Sequence, residues 1–229
     1  MSHQNSDQKT DHTCEHISEE KSYTFPFHTC EKPNKTGIAQ PYSAFFNIVS
    51  CIIIIYYLFN TENIHSKLLL ISILLFELFH TFSHCVHINN HSQIIITHLL
   101  AYLVNFSYLY ALYHYSHVFP NILFLIYLFI VILFDIYAFQ NLSFIYYLSS
   151  QFLIFISLFL YYYSYFPPIF QNKIPIIFAL TLLIVILFIN ESYNGKIMLE
   201  KFPNFPFHIF IEITAIFIVY NICNIFSKL

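Results

Sequence analysis

Glu77, His80 and His84 recur at i, i+3 and i+7, so on a helix they fall on one face. His208 and Glu212, at i and i+4, share a face of another helix. One imidazole from the first group and the His-x-x-x-Glu pair from the second make two nitrogens and one carboxylate. That is a known ligand set for catalytic zinc, with the fourth place left to water. Zinc held in this way brings the pKa of its water to about 7 and makes it a nucleophile. Glu77 or Asp135 is then available as general base or as the group that orients a ligand. The plainer alternative is that these are hydrogen-bonded histidines in a chain that has 13 of them. In that alternative Asp135 bonds a neighbouring helix. His84 and His87 read as solvated interface residues, and His114 and His117 as loop residues on the opposite side. Tyr161, Tyr162, Tyr163 and Phe166 read as lipid-facing or belt aromatics.

The elements that must position these side chains are membrane helices. The chain has 229 residues, 58% hydrophobic and 9% charged, against roughly 25% charged in a soluble domain. Continuous apolar runs of about 20 residues span a bilayer. Seven are expected, at 44–60, 66–86, 93–113, 120–139, 142–166, 174–190 and 205–226. Continuous rather than alternating runs point to helices and not to a barrel, so the fold class is an all-α integral membrane bundle. Residues 1–25 are polar and expected to be disordered. Residues 26–43 form a pre-membrane segment, and 44–229 the membrane domain. A net charge of -3 with 9 basic residues excludes a nucleic-acid surface. The 5 cysteines include no CxxC pair, which argues against a zinc ribbon or thioredoxin-like site.

Seven spans sort the polar residues by parity. Glu77, His80, His84, His98, Asp135, His208 and Glu212 all fall toward the N-terminal side, with His87 and His91 in the adjoining loop. Ionisable groups in a span are costly and usually face the bundle interior, so a polar chamber open toward that side is expected. Six lysines on the N-terminal side against three opposite would make that side cytoplasmic. Glycosylation sequons at Asn34, Asn90, Asn141 and Asn190 argue the other way.

Three segments resemble the alkaline ceramidases and their relatives, a seven-helix hydrolase group that includes the adiponectin and progestin receptors. They are Cys30-Glu31 followed by Ile38-Ala39-Gln40-Pro41 and Asn47, then Leu78-Phe79-His80-Thr81-Phe82, then Phe207-His208-Ile209-Phe210-Ile211-Glu212. The resemblance implies zinc ligands at His80 and His208 and a substituted third ligand at Glu212. It also implies calcium-binding positions at Glu31 and Gln40. Gln40 replaces an acidic residue and Thr29 replaces a Trp, and both changes weaken a calcium site. Phe76 stands where the family has Ser, and His91 where it has Asp, with His91 or His98 available to compensate. The partner cysteine before span 7 is missing, so by resemblance a Cys30 disulfide would need Cys14 or another chain. The implied location is the endoplasmic reticulum or Golgi.

The leading expectation is therefore a zinc-dependent hydrolase of an amide in a ceramide-like lipid, with Glu77, His91, His98 and Asp135 as catalytic candidates. The alternative is a catalytically inactive, receptor-like or scaffold protein of the same fold, motivated by Phe76 and His91. A proton or metal transporter would need polar residues on both sides, and the opposite side is sparse. The lipid, its acyl length and the oligomeric state leave no mark in the sequence.

Overall fold

A computed structural model describes residues 31, 35, 37–86, 91–141, 144–202 and 205–229. The described chain is all-α: α1 (Pro41–Asn60), α2 (Ile64–Cys85), α3 (His91–Ser116), α4 (Ile122–Asn141), α5 (Phe144–Tyr161), the short α6 (Pro168–Gln171), α7 (Ile174–Lys201) and α8 (Ile209–Phe226). Six of these helices carry stretches long and apolar enough to cross a membrane, and α5 supplies a shorter apolar one, Tyr146–Tyr161. The protein is an integral, multi-pass helical membrane bundle.

Local chemistry sets the helix ends. Pro41 opens α1, where its missing N–H costs nothing and its φ suits the helix. The Glu31 carboxylate reaches the same turn from outside, accepting from the Tyr42 amide, the Ser43 amide at 3.2 Å and the Ser43 hydroxyl at 2.7 Å. Asn63 caps α2 by accepting from the His65 and Ser66 amides at 2.8 and 3.4 Å. Glu31→Ala is expected to cost about 1 kcal/mol at this end, read as faster hydrogen exchange of the Tyr42 and Ser43 amides with α8 unaffected.

The helices close into a ring. α1 packs on α2 and α8, α2 on α3, α3 on α5, α5 on α7 and α7 on α8, while α4 packs against α5 from outside. Burial follows this arrangement. The apolar window of α4 is 22% buried and the most hydropathic, whereas that of α8 is 44% buried. α4 is thus chiefly lipid-facing, and α8 is the helix most able to carry polar groups away from lipid.

Four expectations shift. α5 ends at Tyr161, well before 166, and a 3₁₀ turn at Tyr163–Tyr165 leads into Pro167 and Pro168, which cannot continue a helix. In that turn Tyr162 and Phe166 are buried at 1% and 3% exposure, joining the core where a lipid-facing belt was expected. The Tyr162 hydroxyl donates to the Val118 carbonyl at 3.0 Å, which gives its polar end a partner. α7 runs on to Lys201, past the expected 190, so the polar stretch from Glu191 is helix and not loop. His114 also lies in a helix, the last turn of α3, with its ring stacked 3.8 Å from that of His65.

Candidate metal centre

The N-terminal-side ends of α2 and α8 bring His80, His84 and Glu212 together. One possible ligand atom from each lies within 4.8 Å of the others, a group able to hold a metal ion. The His80 and His84 Nε2 atoms are 3.0 Å apart, and His84 Nε2 is 3.2 Å from Glu212 Oε1. His208 Nε2 approaches the same oxygen at 3.0 Å. The i, i+4 spacings on both helices produce this convergence, because each pair stands one turn apart on the face that meets the other helix. His84 is 0% exposed and Glu212 1%. The solvated interface position expected for His84 is therefore incorrect, because its face of α2 turns inward onto α8 and the segment before α1.

The outer nitrogens of the rings are also held. His84 Nδ1 meets the Gln40 side-chain carbonyl. Gln40 is fixed in turn by its own amide donating to the His84 carbonyl at 2.9 Å. His208 Nδ1 lies 2.7 Å from Glu191 Oε2. His80 Nδ1 lies 3.3 Å from the Asn47 side-chain amide. A carbonyl and a carboxylate each favour a proton on the facing Nδ1, so a neutral ring of His84 or of His208 keeps its lone pair at Nε2. Both lone pairs then face Glu212, whose two oxygens are buried without a hydrogen-bond partner among the described residues. Lone pairs and a buried carboxylate turned on one point repel one another unless a cation, either a metal ion or a further proton, lies between them. An acceptor held on the far ring nitrogen, as at His84 and His208, is also the usual support of a metal-binding histidine. The residues present fit a divalent ion such as zinc.

Glu77 is 7% exposed. With His80, His208 and Glu212 it lines a cavity of about 290 Å³ whose walls come from α2, α3, α5, α7 and α8. His98 and Asp135, expected in the same chamber, form a separate cluster between α3, α4 and α5. Asp135 is 0% exposed. It accepts from Tyr102 Oη at 2.7 Å, from Gln151 Nε2 at 2.9 Å and from the Ser150 hydroxyl. His98 Nε2 is 3.8 Å away, with its ring against Phe139 and Tyr147. This is the helix-joining role weighed for Asp135 from the sequence. His91 opens α3, and its side chain lies outside the described residues, as do His87, Cys14 and Cys30. Glu31 and Gln40, paired by the resemblance as calcium positions, serve two different ends, the cap of α1 and the ring of His84.

Sequence reasoning placed His84 on the ligand face but read it as solvated, and it overlooked Glu191 and the partner roles of Gln40 and Asn47. For His84 the signal was present, since it stands one helical turn from His80. Glu191 carried none, because it falls beyond the expected end of its span.

Taken together, the fold and site define a helical membrane protein with a buried His/His/Glu cluster. No family model, curated protein or solved structure matches the chain, so no family is assigned to it.

Proposed function

We propose that the protein is a zinc-dependent membrane hydrolase that cleaves an amide in a ceramide-like lipid. The observation that carries this reading is the buried His80, His84 and Glu212 group, of which His80 and Glu212 line a largely apolar cavity inside the bundle. The resemblance of three separate segments to the alkaline ceramidases supports the choice of substrate. His80, His84 and Glu212 would hold the ion, with His208 beside Glu212 as a further donor. Bound zinc supplies Lewis acidity, activating water near neutral pH and stabilising charge at the carbonyl oxygen. Glu77, in the cavity wall, takes the proton of the attacking water and passes it to the leaving nitrogen. The amide C–N bond breaks, giving a fatty acid and an amine. The apolar walls seat the acyl chain and keep bulk water from the reacting carbonyl. His91, His98 and Asp135 are not given chemical steps.

Glu77→Gln is the test. Turnover of a ceramide by the purified, zinc-loaded protein is expected to fall at least about 100-fold, with zinc content unchanged. Wild-type protein that holds no zinc, or a Glu77→Gln variant of full activity, rejects the proposal.

One observation favours a second reading, a lipid-binding protein without turnover. Phe76 lines the cavity with its ring 5.8 Å from that of His80, so an apolar group stands beside the metal centre where the ceramidase-like enzymes carry a hydroxyl. Binding of ceramide without any product from metal-loaded protein would select this reading.

A further inference from the structure

Most of the cavity wall is apolar, yet a second set of polar groups lines it deeper in the membrane: Asn105 of α3, Gln151 of α5 and Thr181 of α7. Their orientation is dictated from outside the cavity. Asp135 is an acceptor at both oxygens, so Gln151 turns its Nε2 toward Oδ2, at 2.9 Å. That leaves the Gln151 Oε1 to accept from Asn105 Nδ2, also at 2.9 Å. Asn105 is thereby committed in turn. Its NH₂ end is engaged by Gln151, and its Oδ1 remains as an acceptor. Thr181 is 1% exposed, and its hydroxyl has no hydrogen-bond partner among the described residues. Burying a hydroxyl unpaired is costly in an apolar interior, and a wall meant only for methylene groups has no need of one.

The depth of these groups follows from helix register. Glu191 holds His208 at the metal-centre end. Thr181 lies ten residues back along α7, about 15 Å along the helix axis. The contacts of His65 with Tyr110 and His114 set α2 and α3 antiparallel. That register places Asn105 about 12 Å below His80. An extended chain covers roughly 3.5 Å for every three bonds, so 12–15 Å is about ten to thirteen bonds from a head group held at the metal centre.

We propose that Asn105 and Thr181 are specificity-determining residues that read a hydroxyl carried partway along the acyl chain of the ligand. The Asn105 carbonyl accepts from such a hydroxyl, and the Thr181 hydroxyl donates to the same hydroxyl's oxygen. Asp135 and Gln151 are positioning residues, since they act only by holding the Asn105 amide one way round. This inference rests on the reading of the cavity as a lipid site with the polar head at the metal centre.

The experiment is equilibrium binding of three probes to the full chain in nanodiscs: octadecanamide, 12-hydroxyoctadecanamide and 2-hydroxyoctadecanamide. Wild-type protein is expected to bind the 12-hydroxy probe about tenfold tighter than the other two, the gain of one good hydrogen bond in place of unpaired groups. The near-isosteric Thr181→Val, and separately Asn105→Leu, are expected to reduce that preference to about threefold or less while leaving octadecanamide affinity in place. Equal affinity for all three probes in wild type, no binding of any, or a preference that survives both substitutions overturns the proposal. Zinc measured on the same samples separates the two readings. Zinc-free protein that keeps the preference sinks only the hydrolase, and zinc-loaded protein without it sinks only the hydroxyl site.

Discussion

Replacing Glu212 with alanine is expected to strip the purified protein of stoichiometric zinc, with the helical fold retained. Glu212 is the one carboxylate on which the rings of His84 and His208 both converge, at 3.2 and 3.0 Å. Without it, two neutral rings face each other across a buried space with no negative charge to balance a dication. His80→Ala and His84→Ala are expected to lose the metal as well, each removing a nitrogen from the group. The outer partners should act more gently. Gln40→Ala and Glu191→Ala free one ring each to rotate or change tautomer, and about 10–100-fold weaker zinc affinity is expected from such changes. Metal analysis of the whole series after dialysis against a chelator checks this ordering. Glu212→Ala protein with wild-type zinc content would refute the site. The sign of the pH effect follows from the ligands themselves. Imidazole nitrogens and a carboxylate bind metal only when deprotonated, so acidification should release zinc and base should not.

The largest effect on stability is expected at Asp135, far from that chemistry. Asp135→Ala should destabilise the bundle by about 3 kcal/mol, because it leaves the Tyr102 hydroxyl and the Gln151 amide buried and unpaired at about 1–3 kcal/mol each. The Ser150 hydroxyl is spared, since its one proton can turn to the Tyr147 carbonyl, 2.7 Å away. Asp135→Asn keeps one acceptor oxygen and should cost about half as much. Denaturant unfolding of the micellar protein measures both. The zinc content of folded Asp135→Ala protein should match wild type, because none of the groups bonded to Asp135 belongs to the His/His/Glu cluster. Loss of zinc with unchanged stability would invert the roles assigned to the two polar clusters.

Much of this was legible in residue order alone. Unbroken apolar runs separated by Asn, Pro and His punctuation are enough to specify membrane helices, because lipid offers the backbone no other partners. The break between the fourth and fifth helices falls where Gln140 and Asn141 marked it. Spacing also singled out Glu77, His80, His84, His208 and Glu212, since i, i+3, i+4 and i+7 patterns define helix faces whatever those faces meet.

What spacing leaves open is which faces meet. His98 and Asp135 shared a membrane layer with the histidine cluster, and depth was all that parity could assign. The ring order of the helices decided the rest. α2 and α8 enclose the His/His/Glu cluster together, while α4 lies outside against α5 and ties Asp135 to α3. The same packing turned His84 inward, prolonged α7 so that Glu191 reaches His208, and set Asn105 and Thr181 in the wall of one cavity. Sequence by itself determined the helices and the faces that carry chemistry, because both follow from local periodicity and from the bilayer. Only the tertiary structure decided which polar residues became partners, because a partner on another helix is chosen by packing between segments distant along the chain.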